Sequence, residues 1–123
     1  MMGDRFTLVI GSLLLFATVA SANGLLSGKV TKVRDGDTIV VADQPVRLAA
    51  LDCPENGKFG GDAATNLMKR LTDGVTVTCE LDGTTTYDRV VGYCSARGRD
   101  LGQQMIDAEV CGIYQKYNTE GRY

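Results

Sequence analysis

The stretch VTKVRDGDTIVVADQPVRLAALDCPE, residues 30–55, decides the fold. It holds three short runs rich in β-branched residues, separated by DG and DQP, which are typical turn sequences. In the third run, Val46 and Leu48 alternate with Arg47, so the arginine should point away from the apolar face. We therefore predict three consecutive strands, at residues 26–34, 38–42 and 46–51.

The sequence after residue 55 predicts a helix, two strands and a second helix. Apolar residues recur at helical spacing over residues 62–74, with Asp62 as the N-cap. Strands are predicted at 75–80 and 87–94, with a turn at 82–86, and Asp100 with Gln103 resembles a capping box for a helix that runs to Gly112. This order favours a small, mainly β, five-stranded barrel of the OB type with two helices, and a small α+β sandwich is the alternative.

The N-terminus has the pattern of an export signal. Arg5 precedes an almost continuous apolar run over residues 6–19, and Ala20-Ser21-Ala22 fits a cleavage site. We predict a signal peptide at 1–22 and one mature domain at 23–123, secreted or periplasmic and monomeric. The run is shorter than the roughly 20 residues of a membrane span. An uncleaved membrane anchor is the alternative, and after cleavage we expect no stable membrane association.

The amino-acid composition excludes several kinds of catalytic and metal site. The chain has no histidine, which excludes histidine general bases, histidine zinc sites and serine–histidine triads. Its net charge is −2, whereas proteins that bind nucleic acid by diffuse electrostatics are usually basic. Any phosphate binding must therefore come from local arginines and a bound cation.

All four cysteines follow the predicted signal, and an even count in an exported chain predicts two disulfides. Four cysteines allow three pairings, and the sequence alone does not choose between them. The strand pattern favours Cys79–Cys94, because both are at inward positions of adjacent strands. Cys53–Cys111 would then follow by elimination, and four reduced, buried thiols are the alternative.

Five charged residues at ordered spacing are the candidate catalytic set: Asp37, Arg47, Asp52, Glu55 and Arg89. Two carboxylates can hold a hard cation such as Ca²⁺, a third can activate water, and two arginines can bind a phosphate. Each residue alone has an ordinary structural interpretation as a turn, loop or solvent-facing side chain. Their combination predicts phosphodiester cleavage assisted by a metal ion.

Tyr87 precedes Arg89, and Tyr114 and Tyr117 follow the second predicted helix. Tyrosines beside a phosphate site can stack on bases or bind phosphate oxygens. They can equally cover a small core. We consider them candidate substrate-binding residues.

These motifs resemble the thermonuclease, or staphylococcal nuclease-like, family. The resemblance covers residues 28–117 and rests on V-x-D-G-D-T at 33–38, R-L at 47–48, D-x-P-E at 52–55, Y-x-R at 87–89 and D-L at 100–101. It implies a five-stranded OB-type barrel and Ca²⁺-dependent hydrolysis of DNA and RNA, preferably single-stranded, to products that carry a 3′-phosphate.

The resemblance also implies a role for each candidate residue. Asp37 and Asp52 would bind Ca²⁺ through their carboxylates, and Cys53 through its backbone carbonyl. Glu55 would activate the attacking water. Arg47 and Arg89 would stabilise the transition state.

The chain departs from the family pattern in three places. The loop after Glu55 is short, Asp88 stands where a glycine is expected, and the family's third helix is missing before the chain ends at Tyr123. Asp88 is expected to weaken the hold of Arg89 on phosphate. A non-catalytic OB module that binds single-stranded nucleic acid or a protein partner is the alternative function.

Overall fold

The computed structural model describes residues 22–123 as a closed barrel with two helices. The predicted signal peptide falls almost wholly on residues 1–21, which lie outside the described residues. The strands are β1 (Asn23–Asp35), β2 (Thr38–Val41), β3 (Gln44–Leu48), β4 (Leu51–Asp52), β5 (Thr76–Thr86), β6 (Arg89–Ala96), β7 (Arg99–Asp100) and β8 (Gly112–Ile113). The helices are α1 (Gly61–Thr72) and α2 (Leu101–Asp107), and a 3₁₀ turn spans Gln115–Tyr117.

Five strands form the barrel, in the order β3-β2-β1-β5-β6, and β3 closes it by pairing with β6. The neighbours in this order pair antiparallel, whereas the closing pair is parallel, with Val46 opposite Val90 and Leu48 opposite Gly92. The predicted five-stranded OB-type barrel with two helices is therefore confirmed.

The core fills the barrel and continues under the two helices. Its largest fully buried members are Ile39, Leu48, Leu51, Met68, Leu101 and Met105. Val46 and Leu48 are buried while Arg47 between them is only half-buried, which confirms the predicted alternation in β3. Between residues 22 and 123, no helix has both the length and the apolarity needed to cross a bilayer.

Several predicted boundaries are wrong for local reasons. The third strand ends at Leu48, because Ala50 adopts a left-handed conformation (φ 57°) and Leu51 starts the separate strand β4. Residues 82–86 are not a turn. They extend β5, and the chain reverses at Tyr87 (φ 56°) and Asp88.

The helix termini also differ from prediction. The cap of α1 is Gly60 in a left-handed conformation, so Asp62 lies within the first turn. The predicted cap of α2 is confirmed, because the Asp100 carboxylate accepts a hydrogen bond from the Gln103 N–H at 2.8 Å. However, α2 ends at Asp107, five residues before the predicted end.

Both disulfides are present. Cys79 and Cys94 face each other across β5 and β6, and Cys53 is bonded to Cys111. Within the described residues no cysteine is free. This is the pairing that the strand pattern favoured, and disulfides of this kind are typical of an oxidising compartment.

Candidate active site

Asp37 is the buried centre of the site. It lies in the turn between β1 and β2, with 8% of its surface exposed, and its backbone carbonyl accepts a hydrogen bond from the Leu48 N–H at 2.8 Å. The preceding residue must be small. A Cβ on Gly36 would lie 2.8 Å from the Cβ of Ala64 and 3.0 Å from the sulfur of Cys53. The turn therefore packs directly against α1 and the loop after β4.

The two acidic motifs of the sequence meet at the Asp37 carboxylate. Its Oδ2 accepts a hydrogen bond from the Cys53 N–H at 3.2 Å and lies 3.4 Å from Nη2 of Arg47. Its Oδ1 is 3.4 Å from the Thr38 hydroxyl, which is long for a hydrogen bond between oxygens. Burial raises the pKa of Asp37 to about 6, although the charge of Arg47 and the Cys53 N–H oppose this rise.

The Arg47 side chain is held in place by the backbone on both sides of the β3–β4 turn. Nη1 donates to the Leu48 carbonyl at 2.5 Å, and Nη2 donates to the Leu51 carbonyl at 2.7 Å. A guanidinium has five N–H groups, so these two bonds leave further donors for a ligand.

Arg89 is linked to Asp37 through the side chain of Thr38. Its Nη1 donates to the Thr38 hydroxyl at 3.0 Å, and that hydroxyl lies 3.4 Å from Oδ1 of Asp37. Two longer contacts, both 3.3 Å, join Arg89 to the backbone and hydroxyl oxygens of Thr86. The ring of Tyr87 lies 5.8 Å from the guanidinium carbon, within cation–π range. Thr38 and Thr86 were not assigned a role from the sequence, since hydroxyl bridges have no local signature.

The two arginines share one groove. A cavity of about 550 Å³ is bounded by Arg47 and Arg89, by the end of β5, and by Tyr114 and Tyr117 of the C-terminal segment. The two tyrosine rings contact edge to face with centroids 4.8 Å apart, and both are partly exposed. The structure therefore brings together both predicted arginines and two of the three predicted tyrosines.

All three predicted acids, Asp37, Asp52 and Glu55, lie outside the lining of this groove. The side chains of Asp52 and Glu55 are exposed, the first in β4 and the second in the loop that leads to α1. Asp52 borders a second, more open depression of about 620 Å³, which it shares with Cys53, Glu109 and Cys111. The backbone between Asp52 and Glu55 nevertheless contacts Asp37 through the Cys53 N–H.

The donor atoms have the chemistry that Ca²⁺ requires. Asp37, Asp52 and the Cys53 carbonyl supply only oxygen, which this hard cation prefers. Among residues 22–123, no three histidine, cysteine, aspartate or glutamate side chains are grouped closely enough to hold a metal ion. A calcium site here would therefore depend on backbone oxygen and water as well as on carboxylates.

Asp88 makes a contact that the sequence did not indicate. Both oxygens of its carboxylate accept hydrogen bonds from Arg34 at the end of β1, at 3.0 and 2.7 Å. These bonds lower the pKa of Asp88. Asp88 is thus neutralised by a partner other than Arg89.

Comparison with known proteins identifies the family. The sequence model of the family described as "Staphylococcal nuclease homologue" matches residues 45–123. The chain belongs to the staphylococcal nuclease family. It shares 36% identity over 100 residues with an Escherichia coli protein named "Uncharacterized endonuclease", and the match covers 77% of this chain and 65% of that protein.

A counterpart in E. coli O157:H7, with the same name, shows the same identity and coverage. A Rhizobium meliloti (strain 1021) protein, "Succinoglycan biosynthesis protein ExoI", is 30% identical over 122 residues, with 87% of this chain and 63% of that protein covered. The chain thus spans about two thirds or less of the length of these relatives. The family profile covers Arg47, Asp52, Glu55 and Arg89, whereas Asp37 precedes the matched region.

Proposed function

We propose that this protein is a Ca²⁺-dependent nuclease that cleaves DNA and RNA, preferably single-stranded, with little sequence preference. The observation that carries the proposal is the network in which Asp37 contacts Arg47 directly and is linked to Arg89 through Thr38, beside a groove of about 550 Å³ lined by both arginines. Family membership and the names of the E. coli relatives support the same function.

The arginines would bind and stabilise the phosphate. Arg47 and Arg89 both border the groove, and a planar guanidinium fork matches the oxygens of a phosphoryl group. As an equatorial phosphoryl oxygen gains charge in the transition state, such preorganised donors stabilise it more than they stabilise the substrate. The backbone bonds of Arg47 fix its orientation before substrate arrives.

Glu55 would act as the general base. Its exposed carboxylate can take a proton from a water molecule, which attacks phosphorus in line with the departing sugar oxygen. Asp37, Asp52 and the Cys53 carbonyl are the residues that would hold Ca²⁺. When bound, the cation would neutralise charge on the phosphate and help to orient it.

Tyr114 and Tyr117 would favour single strands. Each presents part of its ring to solvent along the groove, where an unpaired base can stack on it. Bases within a duplex are already stacked on their neighbours and are not free to do so. Tyr87 is almost fully exposed beside Arg89 and would offer a further ring on which a base can stack.

Export to the periplasm or the exterior is part of the proposal. Two disulfides are typical of an oxidising compartment, and the predicted cleavage after Ala22 would leave Asn23, the first residue of β1, as the new N-terminus. The mass and N-terminal sequence of the exported protein test this. An intact N-terminus on a membrane-bound product would support the anchor instead.

The decisive test is cleavage of labelled single-stranded DNA by the oxidised protein, first with Ca²⁺ and then with excess chelator. We expect cleavage only with Ca²⁺, and its loss in Glu55→Gln with an unchanged melting temperature. Full activity in that variant would reject Glu55 as the base.

A metal-independent binding module is the second candidate. The lack of a three-residue metal group among residues 22–123 favours it, because binding needs only the arginines and tyrosines. Saturable binding of the same DNA in chelator, without cleavage in Ca²⁺, would establish this function.

A further inference from the structure

The Cys53–Cys111 disulfide joins the acidic loop to the C-terminal part of the chain. Cys53 directly follows Asp52 and lies two residues before Glu55, whereas Cys111 directly precedes β8. The strands on either side form a ladder of only two residue pairs, Leu51 with Ile113 and Asp52 with Gly112. One backbone hydrogen bond, from the Tyr114 N–H to the Ala50 carbonyl at 2.7 Å, extends this contact, and the disulfide adds a covalent bond beside it.

Cys53 is also the point at which the loop contacts Asp37. Its N–H donates to Oδ2 of Asp37, and its sulfur packs within van der Waals distance of the Gly36 turn. The next residue, Pro54, has no N–H and adds no backbone donor. The position of the Asp52–Glu55 backbone relative to Asp37 therefore depends on where Cys53 is held, and beyond Glu55 on Asn56, which donates to the Arg34 carbonyl and accepts from the Thr65 hydroxyl.

We propose that Cys111 is a positioning residue for the nuclease reaction. Through its bond to Cys53, it holds the acidic loop, residues 52–55, against Asp37 in the arrangement that calcium binding requires. This inference rests on the proposed calcium-dependent function. It also predicts that reducing this one disulfide weakens calcium binding before it unfolds the barrel.

The second disulfide provides a matched control. Cys79–Cys94 joins β5 to β6, is fully buried in the core and lies outside the lining of both the groove and the Asp52 depression. Removing either bond should destabilise the fold. Only removal of Cys53–Cys111 should change the metal site.

Calcium affinity is the main readout. It is measured by calorimetry without nucleic acid for the wild type, Cys53→Ala/Cys111→Ala and Cys79→Ala/Cys94→Ala, and melting temperatures are recorded for each. We expect the apparent Kd for Ca²⁺ to rise about tenfold or more in the first variant, a range seen when groups that orient metal ligands are removed. The control variant should melt earlier but keep its Kd within about twofold of the wild type, as expected for sites that do not share contacts.

Hydrogen exchange gives a readout that does not depend on metal. In chelator, exchange of the backbone amides of residues 52, 53, 55 and 56 should accelerate more in Cys53→Ala/Cys111→Ala than in the control. If the first variant has no cooperative thermal transition, wild-type protein is reduced stepwise with dithiothreitol, which transfers two electrons and two protons to each disulfide. The reduced pair is then identified by alkylation and mass spectrometry, and calcium affinity is followed against reduction of Cys53–Cys111.

Equal calcium affinity in both variants, or an equal loss in both, would overturn the positioning role. If the wild type itself binds no calcium, the proposed nuclease mechanism fails together with this inference. If the wild type binds calcium and cleaves DNA, but exchange and affinity are insensitive to Cys111, only the inference fails.

Discussion

The carboxylate of Asp88 forms a two-point ion pair with the guanidinium of Arg34, with nitrogen–oxygen distances of 3.0 and 2.7 Å. The pair joins the end of β1 to the turn that precedes Arg89, across 54 positions of the sequence. Without this partner, Asp88 would place an uncompensated negative charge beside the arginine that faces the groove. We therefore expect Arg34 to offset the predicted weakening of Arg89 by Asp88.

Arg34→Ala should weaken substrate binding. It frees the Asp88 carboxylate to compete with phosphate for Arg89. Because the pair is exposed and screened by solvent, we expect KM to rise only about two- to fivefold at low salt. The double variant Arg34→Ala/Asp88→Gly removes the competing acid and should restore KM. An unrestored KM would show that Arg34 acts on substrate directly.

Arg89→Lys should reduce kcat more than it changes melting temperature. Lysine keeps the positive charge but cannot bind Thr38 and a phosphate oxygen together through a planar fork. Loss of one preorganised donor at an oxyanion typically costs about 100- to 1,000-fold in kcat. Single-turnover cleavage of a defined oligonucleotide measures this loss. Arg99→Lys, at an exposed position in β7, is the control and should leave the rate unchanged.

Most strands and helices could be predicted because the apolar residues of each element repeat at intervals of only a few neighbouring residues. Runs of β-branched residues separated by turn sequences mark β1 to β3. Within β3, the alternation of side chains placed Arg47 on the other face of the strand from the buried Val46 and Leu48. The closing parallel pair of Val46 with Val90 joins positions 44 residues apart, and no local pattern specifies it. Left-handed residues such as Ala50 and Tyr87 were missed because neither residue type favours that conformation.

The site was predictable only in part, for a related reason. Residue types and order identified the charged set, whereas contacts such as Thr38 with Arg89 and Arg34 with Asp88 link residues more than 50 positions apart. These contacts exist only once the barrel has closed. The sequence could not show that Arg47 and Arg89 line one groove while Asp52 borders another.

Tyr117→Ala should weaken binding of single-stranded DNA, while Tyr117→Phe should preserve most of it. Stacking on an aromatic ring contributes about 1–3 kcal/mol per base, and phenylalanine keeps the ring while losing only the hydroxyl. We expect Kd to rise about fivefold or more in the alanine variant. Fluorescence anisotropy in the Glu55→Gln background, which we expect to be inactive, with excess chelator separates binding from cleavage. Equal losses in the two variants would assign the contribution to the hydroxyl instead.

Asp37→Asn should stabilise the calcium-free protein at neutral pH. Burial raises the pKa of Asp37 from the ordinary value of 3.8 to about 6, so between these values the folded state binds more protons than the unfolded state. The free energy of unfolding should therefore fall as pH rises through this window, by at most about 3 kcal/mol at 1.36 kcal/mol per pKa unit. The substituted amide cannot titrate, yet its oxygen can still accept the hydrogen bond from the Cys53 N–H.

Urea unfolding in chelator at pH 4, 5 and 7 measures this dependence. Two neighbouring charges act on the Asp37 carboxylate: Arg47 favours its ionised form, whereas Asp35 opposes it. Neither residue is therefore substituted in the proteins compared. The wild type should lose stability from pH 4 to pH 7 relative to Asp37→Asn, whereas Asp62→Asn, on the exposed first turn of α1, should follow the wild type. Parallel curves for the wild type and Asp37→Asn would show that folding does not raise the pKa of Asp37. Adding Ca²⁺ at pH 7 should reverse the order of stability, because only the wild type gains binding energy from an ionised Asp37.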